Sequence, residues 1–138
     1  MKIIFISGRE PQYVRNAVIL RGLKMNGVEV TECTSSTSSY FLRYPNVLSK
    51  FVLKNKKDID LIFIGYFGQP LVPIIKKLTN KPIIFDAFLS AYDTMCFDRK
   101  KFKHTSLGGK FFYWLDKHSC ELADKVLLDT YTHIDYFV

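Results

Sequence analysis

Residues 60–86, DLIFIGYFGQPLVPIIKKLTNKPIIFD, contain the pattern that decides the fold. Two short runs of β-branched and aromatic residues, 61–64 and 83–85, flank a segment with apolar residues at helical spacing, 71–78. Nearly continuous apolar runs of this length are typical of strands that are covered on both faces, as in a parallel sheet. The stretch therefore predicts a strand, a helix and a second strand parallel to the first.

The same alternation continues on both sides of this stretch. Further strands are predicted at 3–6, 28–33 and 126–128, the second of them nearer an edge because it alternates. Further helices are predicted at 13–26, 47–54 and 110–123. This order predicts an α/β fold, a doubly wound, Rossmann-like parallel sheet of about five strands with helices on both faces. The length of the chain, 138 residues, favours a single domain over residues 1–138.

Composition limits the classes of protein that the chain can belong to. Hydrophobic residues make up 48% and charged residues 24%, which is typical of a globular domain, and no apolar run is long enough to span a membrane. The three cysteines lie far apart without a metal-binding spacing, which favours reduced thiols in a cytoplasmic protein. The net charge of +7 favours an anionic partner, although a lysine-rich solvated surface gives the same value.

The loop after the first strand, SGREPQ at 7–12, excludes three familiar functions of doubly wound domains. It lacks the G-x-G-x-x-G glycines that hold a dinucleotide and the G-x-x-x-x-G-K-[ST] pattern of a P-loop. It also lacks the acidic pair of a response-regulator receiver, and the third strand is followed by Gly65 where a receiver has its phosphorylated aspartate. We therefore expect no dinucleotide or other cofactor, and the sequence shows no metal-ligand cluster.

Several segments, taken in order and spacing over nearly the whole chain, resemble the N-terminal domain of group 1 (GT4-like, GT-B fold) glycosyltransferases. They are KIIFI at 2–6 leading into a helix with Arg15, Asn16 and Leu23, NGVEV at 26–30, DLIFI at 60–64, KPIIFD at 81–86 and ADKVLLDT at 123–130. The last is similar to the A-D-x-V-x-x-x-[ST] segment that ends this domain in such enzymes. The resemblance implies the acceptor side of a cleft, no bound metal, and a donor nucleotide held mainly by a C-terminal domain whose paired glutamates are absent from this chain.

Candidate site residues lie where the predicted strands end, because ligands of open parallel sheets bind beyond the carboxyl ends of the strands. Asp86 is the candidate catalytic residue, a carboxylate that orients or deprotonates an acceptor hydroxyl; the alternative is an aspartate that caps a turn. Candidate substrate-binding residues are Gly8, Arg9, Glu10, Tyr66, Gly68, Gln69, Ser90, Tyr92, Asp93 and Arg99. For these residues the alternatives are tight turns and a solvated loop, and the last four lie in a long segment, 87–109, that is interpreted as irregular.

A basic run, 99–110, leads into the aromatic stretch FFYW at 111–114. Lysines beside aromatic residues suit an anionic membrane surface, so peripheral contact with the inner face of a membrane is one expectation. The other is that Phe111, Trp114 and Leu115 form the core face of their helix, and this packing explains most of the aromatic residues. No nucleic-acid partner is expected, because no recognised reader motif occurs.

Two hypotheses about function follow. The first is the acceptor-side domain of a glycosyltransferase, with a nucleotide-sugar donor and a sugar or lipid-linked acceptor as partners. The chain ends on apolar residues, Tyr136-Phe137-Val138, so we expect a longer protein, an inactive isolated domain, and self-association through its exposed interdomain face. The second hypothesis is a stand-alone binding or interaction module for a small anionic ligand, without catalysis.

Overall fold

The computed structural model describes residues 1–137, and for residues 40 and 41 it describes the backbone only. Five strands form one sheet: β1 Lys2–Ile6, β2 Glu29–Cys33, β3 Leu61–Ile64, β4 Ile83–Asp86 and β5 Lys125–Leu127. All neighbouring strands are parallel, in the order β2-β1-β3-β4-β5. The predicted doubly wound parallel sheet is therefore confirmed, and the direction of winding reverses between β1 and β3.

Helices lie on both faces of the sheet, as predicted. They are α1 Val14–Met25, α2 Tyr40–Leu53, α3 Leu71–Leu78, α4 Ala91–Asp93, α5 Leu107–Leu122 and α6 Tyr131–Phe137. On one face, Phe5 packs with Leu20 of α1. On the other, Ile4 belongs to the larger core that includes Phe51 of α2 and Ile75 of α3. Successive strand residues point to opposite faces, which is why these strands are apolar almost throughout.

Helix α2 begins at Tyr40, several residues before the start predicted at Val47. Pro45 lies inside this helix, and a proline normally interrupts the ladder because it has no backbone N–H. Tertiary contacts hold the first turns of α2: Arg43 donates to the carbonyl oxygens of Thr37 and Gly8, and the Tyr44 hydroxyl donates to that of Phe67. The helix predicted from the sequence was too short because contacts with distant residues leave no pattern in the local sequence.

Helix α5 begins at Leu107, so the pair Gly108-Gly109 lies in its first turn and not before it. Ser106 caps this end, where its hydroxyl oxygen accepts a hydrogen bond from the backbone N–H of Gly109 at 3.2 Å. A Cβ atom at Gly109 would stand 2.5 Å from the carbonyl oxygen of Lys103. The glycine is needed because the incoming chain passes directly against the helix.

The segment 87–109, which was interpreted as irregular, is partly helical. Ser90 caps α4, accepting a hydrogen bond from Asp93 N at 2.9 Å, and Thr94–Asp98 continues as one π-helical turn. A second expectation is also wrong: Phe111 and Trp114 are half exposed, whereas Leu115 is buried. The buried side of α5 carries Leu115 and the polar Asp116 and Ser119, so the aromatic residues lie outside it.

The last described residues form α6, and Val138 lies outside the described residues. Among residues 1–137, no helix combines the length and the apolar character that crossing a bilayer requires.

Candidate functional site

Asn16, in the first turn of α1, joins the loops that follow β1 and β3. Its side-chain N–H donates to Ser7 Oγ at 2.6 Å and to the carbonyl oxygen of Glu10 at 3.2 Å. Its side-chain oxygen accepts a hydrogen bond from the backbone N–H of Tyr66 at 3.3 Å. Asn16 is fully buried, so this one amide fixes the spacing of the two loops at the point where the sheet reverses direction.

Gly8 permits a close approach of the same two loops. A Cβ atom at this position would lie 1.9 Å from the carbonyl oxygen of Phe67, far inside contact distance. Phe67 itself has a φ of 61°, an unusual conformation for a side chain of that size. Gly68 is equally constrained, because a Cβ there would lie 2.3 Å from Ile64 Cγ2. Gly8 thus lets the backbones of the two loops approach each other, and Gly68 leaves room for Ile64, the last residue of β3.

Helix α2 clamps both loops from one side. Buried Arg43 donates to the carbonyl oxygen of Gly8 at 3.1 Å, and the Tyr44 hydroxyl donates to that of Phe67 at 2.9 Å. Arg43 also lies 3.1 Å from the Glu10 carboxylate. A hydrogen bond from its own backbone N–H lowers the pKa of Glu10, and the charges of Arg9 and Arg43 add to the effect. Glu10 is therefore an ionised hydrogen-bond acceptor at neutral pH.

Asp86 ends β4, and its side chain is fully buried beneath Arg15 of α1. Arg15 Nε lies 2.7 Å from Asp86 Oδ2, and Arg15 Nη2 lies 2.7 Å from Oδ1, so the guanidinium holds both oxygens. The hydrogen bond to Asp86 raises the pKa of Arg15. The Arg15 side chain is 24% exposed while that of Asp86 is 0% exposed, so a ligand would meet the guanidinium first. The role of Asp86 as a catalytic base stays a prediction.

Aromatic rings support the two arginines of this crevice. Tyr13 stacks on Tyr66 with ring centroids 4.7 Å apart, and Tyr66 meets Phe88 edge to face at 5.6 Å. The Arg9 guanidinium lies 5.0 Å from the Tyr13 centroid, and that of Arg15 lies 4.0 Å from the Phe88 centroid. We call Arg9, Tyr13, Arg15, Tyr66 and Phe88 the crevice cluster.

A groove of about 550 Å³ lies beside this cluster, between α1 and the end of β5. It is lined by Tyr13, Val14, Arg15, Val18, Ile19, Phe88, Leu127 and Leu128. Aromatic faces suit the apolar faces of sugar rings, and guanidinium groups bind phosphates and carboxylates. The surface therefore has the chemistry to bind a sugar, an anion or a molecule that carries both.

Ser90 and Tyr92 belong to a different cluster, centred on Asp116 of α5. The Asp116 carboxylate accepts hydrogen bonds from Ser90 Oγ at 2.8 Å, Ala91 N at 3.0 Å and Tyr92 N at 2.8 Å. Burial raises the pKa of Asp116, and these hydrogen bonds oppose the shift. We call these four residues the Asp116 network, which fixes the chain as it leaves β4.

Two further candidates are tied to this network. Gln69 is buried, donates from Nε2 to the carbonyl oxygen of Leu89 at 2.7 Å, and accepts on its backbone oxygen from Ser119 at 2.9 Å. Asp93 accepts a hydrogen bond from the Tyr136 hydroxyl at 3.3 Å. Beside them is a cavity of about 790 Å³ lined by Tyr92, Tyr113, Asp116, Lys117, Cys120, Glu121, Tyr136 and Phe137.

The predicted site residues thus fall into three places. The crevice between the loops after β1 and β3, with the end of β4, holds Gly8, Arg9, Glu10, Tyr66, Gly68 and Asp86. The Asp116 network and its surroundings hold Gln69, Ser90, Tyr92 and Asp93. Arg99 lies apart from both, exposed just after the π-helical turn.

Sequence reasoning missed Tyr13, Arg15 and Asn16 as site residues, although a signal for them existed. In a parallel sheet every helix that follows a strand begins at the carboxyl edge, so the first turn of α1 adjoins the crevice. Arg43 and Phe88 had no comparable signal. Among residues 1–137, no group of His, Cys, Asp and Glu side chains has the arrangement of a metal site.

Comparison of the chain with protein families, with curated proteins and with solved structures gives no match.

Proposed function

We propose that the chain is the acceptor-side domain of a glycosyltransferase, which transfers a sugar from a nucleotide-sugar donor to an acceptor. The observation that carries the proposal is the crevice cluster, two guanidinium groups held over aromatic rings where the sheet reverses direction. Ligands of open parallel sheets bind at that place. The order of sequence segments shared with group 1 glycosyltransferases supports the same function.

The geometry suggests a division of labour within the crevice. Arg15 is oriented by its paired bonds to Asp86, so its charge is fixed before a ligand arrives. Arg9 lies 3.8 Å from the Glu10 carboxylate, is partly exposed over Tyr13, and brings a second positive charge to the crevice. Such charges stabilise the diphosphate that leaves during sugar transfer, while ionised Glu10 accepts hydrogen bonds from sugar hydroxyls.

The test uses the full-length product of the gene that encodes this chain. It is incubated with UDP-, GDP- and dTDP-sugars and candidate acceptors, and release of the nucleoside diphosphate is measured. We expect Arg9→Gln to lower kcat about a hundredfold, the effect of removing one charge-stabilising donor. Arg21→Gln, at an exposed arginine further along α1, is the matched control and should leave turnover unchanged.

Three results would contradict this proposal. They are no turnover of any nucleotide sugar, equal effects of the two arginine substitutions, and sugar transfer by residues 1–138 alone. Binding of a nucleoside diphosphate in the crevice without turnover would instead support the stand-alone binding module.

A further inference from the structure

We propose that the outer surface of α5, with the basic segment before it, binds the surface of an anionic phospholipid bilayer. This inference is independent of sugar transfer, because it uses none of the crevice residues. It rests on an exposed, largely apolar row along α5 and on the positive charges of the segment that leads into this helix.

The row consists of the apolar residues Leu107, Phe111 and Trp114, with His118 at its far end, and we call it the α5 outer row. Their spacing of i, i+4, i+7 and i+11 places them along one side of a helix. Leu107 is 87% exposed, Phe111 51% and Trp114 49%. The rings form a continuous surface, with centroids 6.1 Å apart for Phe111 and Trp114 and 4.8 Å apart for Trp114 and His118.

Exposure of this row is a consequence of what α5 buries. Leu115, Asp116 and Ser119 face the rest of the protein, and Asp116 receives the hydrogen bonds that hold the chain after β4. The aromatic residues are therefore held outward by contacts on the opposite side of the same helix. A contiguous exposed row of this kind marks an interaction surface more often than a chance arrangement.

Positive charge predominates beside the row, although the exposed Asp98 directly precedes the basic residues. Residues 99–115 include Arg99, Lys100, Lys101, Lys103 and Lys110 and no aspartate or glutamate. Within residues 1–137, none of these five cations has a carboxylate partner at ion-pair distance. Phe102, 40% exposed, lies among them and meets Phe112, so apolar and basic groups are interleaved.

Charge complementarity identifies the occupant as an anionic lipid surface. Tryptophan and phenylalanine enter the boundary between head groups and acyl chains, while lysines beside them attract anionic head groups. The acidic residues of α5 are Asp116, which is buried on the side that faces the protein, and the exposed Glu121. Glu121 lies 3.9 Å from Lys117 and 3.8 Å from His118, at the end away from the basic segment. The insertion surface is therefore the first half of α5 with residues 99–103.

The chain contains a single tryptophan, so its fluorescence reports on this surface alone. The 138-residue chain is mixed with phosphatidylcholine vesicles that contain about 30 mol% phosphatidylglycerol as the anionic lipid. We expect co-sedimentation, a blue shift of Trp114 emission, and quenching by lipids brominated near the head group. Vesicles of phosphatidylcholine alone should give much weaker binding.

Two triple variants with the same change of net charge separate this surface from general attraction. Lys100→Glu, Lys101→Glu and Lys103→Glu together should lower the vesicle partition coefficient at least about tenfold. Lys54→Glu, Lys57→Glu and Lys77→Glu, at exposed lysines elsewhere on the protein, should lower it far less. Equal losses would overturn the proposal, since they would reflect net charge only.

The apolar row is tested in the same way. Phe111→Ser with Trp114→Ser should lower partitioning about tenfold, whereas Tyr131→Ser, at an 87% exposed ring on α6, should leave it unchanged. Circular dichroism checks that each variant is folded. Co-sedimentation without a shift of Trp114 emission would overturn the proposed insertion. A shift that depends on protein concentration without vesicles would assign the row to a second copy of the chain.

Discussion

Two networks hold the loops at the carboxyl edge of the sheet, and the buried carboxylate is Asp86 in one and Asp116 in the other. Asp86 in the crevice is paired with Arg15, a full positive charge contributed from α1. Within the described residues, Asp116 is held by neutral dipoles: the hydroxyl of Ser90, the backbone N–H groups of Ala91 and Tyr92, and the side-chain amide of Gln69. The negative charge of Asp86 is therefore compensated by a positive charge, whereas burial of the ionised Asp116 keeps a net cost in free energy.

This difference assigns different tasks to the two networks. In the Arg15–Asp86 pair, the part of the guanidinium that does not contact the carboxylate can meet a ligand. This guanidinium lies over the Phe88 ring. Asp116 is only 5% exposed and accepts three hydrogen bonds from residues 90–92, so its effect is to fix the chain that leaves β4. The crevice is accordingly the better place for ligand chemistry, and the Asp116 network is a support.

The largest effect should come from breaking the compensated pair. Arg15→Met leaves the Asp86 side chain, 0% exposed, without either of its hydrogen bonds, and should lower the free energy of unfolding by about 4 kcal/mol. Urea denaturation at pH 7 measures this.

The matched variant is Asp86→Asn, which leaves a partly exposed cation in place of a buried anion and should cost clearly less. The double variant Arg15→Met with Asp86→Leu should recover part of the stability, because no buried charge remains. Equal costs for the two single substitutions would show that the burial of Asp86 does not decide the outcome.

A smaller effect is expected where the crevice loops touch. Gly8→Ala puts a methyl group 1.9 Å from the Phe67 carbonyl oxygen and should lower the free energy of unfolding by about 3 kcal/mol. Gly22→Ala, inside α1 with no atom within 4 Å of the new methyl, should raise it by about 0.8 kcal/mol. Thermal unfolding of both variants tests the contact, and a Gly8→Ala protein as stable as the parent would refute it.

The smallest effect concerns the uncompensated carboxylate and depends on pH. Asp116→Asn should lower the free energy of unfolding at pH 7 by about 1 kcal/mol, because one acceptor oxygen is replaced by a donor. Burial raises the pKa of Asp116 above its ordinary value of 3.8. Between pH 3.8 and the raised pKa, the folded state therefore keeps a proton that the unfolded state has released. The contribution of Asp116 is thus largest below pH 3.8 and declines as the pH rises through the raised pKa.

The difference in stability between parent and Asp116→Asn should therefore narrow from pH 3.8 upward. Glu10 and Asp124 have lowered pKa values and lose their contributions as the pH falls, but they are present in both proteins and cancel in the comparison. Urea denaturation at several pH values measures the difference, and a difference that widens with pH would reverse the assigned direction of the shift.

The sequence was sufficient for the features that local patterns encode. Apolar runs predicted the strands of the sheet, and strand ends pointed to Asp86, Gly8 and Tyr66 at its carboxyl edge. Partners were not predictable in this way: Arg15 and Asp86 are 71 residues apart, and Arg43 reaches Gly8 over 35 residues. The exposure of Phe111 and Trp114 was missed because Asp116 and Ser119, two polar residues, occupy the buried side of α5.

The strand order has a consequence for the way the chain is made. Strand β1 lies between β2, which follows closely in the sequence, and β3, which follows only after the whole of α2. On the ribosome, β1 can pair with β2 early, but its other edge stays open until Leu61–Ile64 has emerged. An open, strongly apolar strand edge invites pairing with another nascent chain, so the interval before β3 emerges is the stage of synthesis at which a chaperone would protect this protein most.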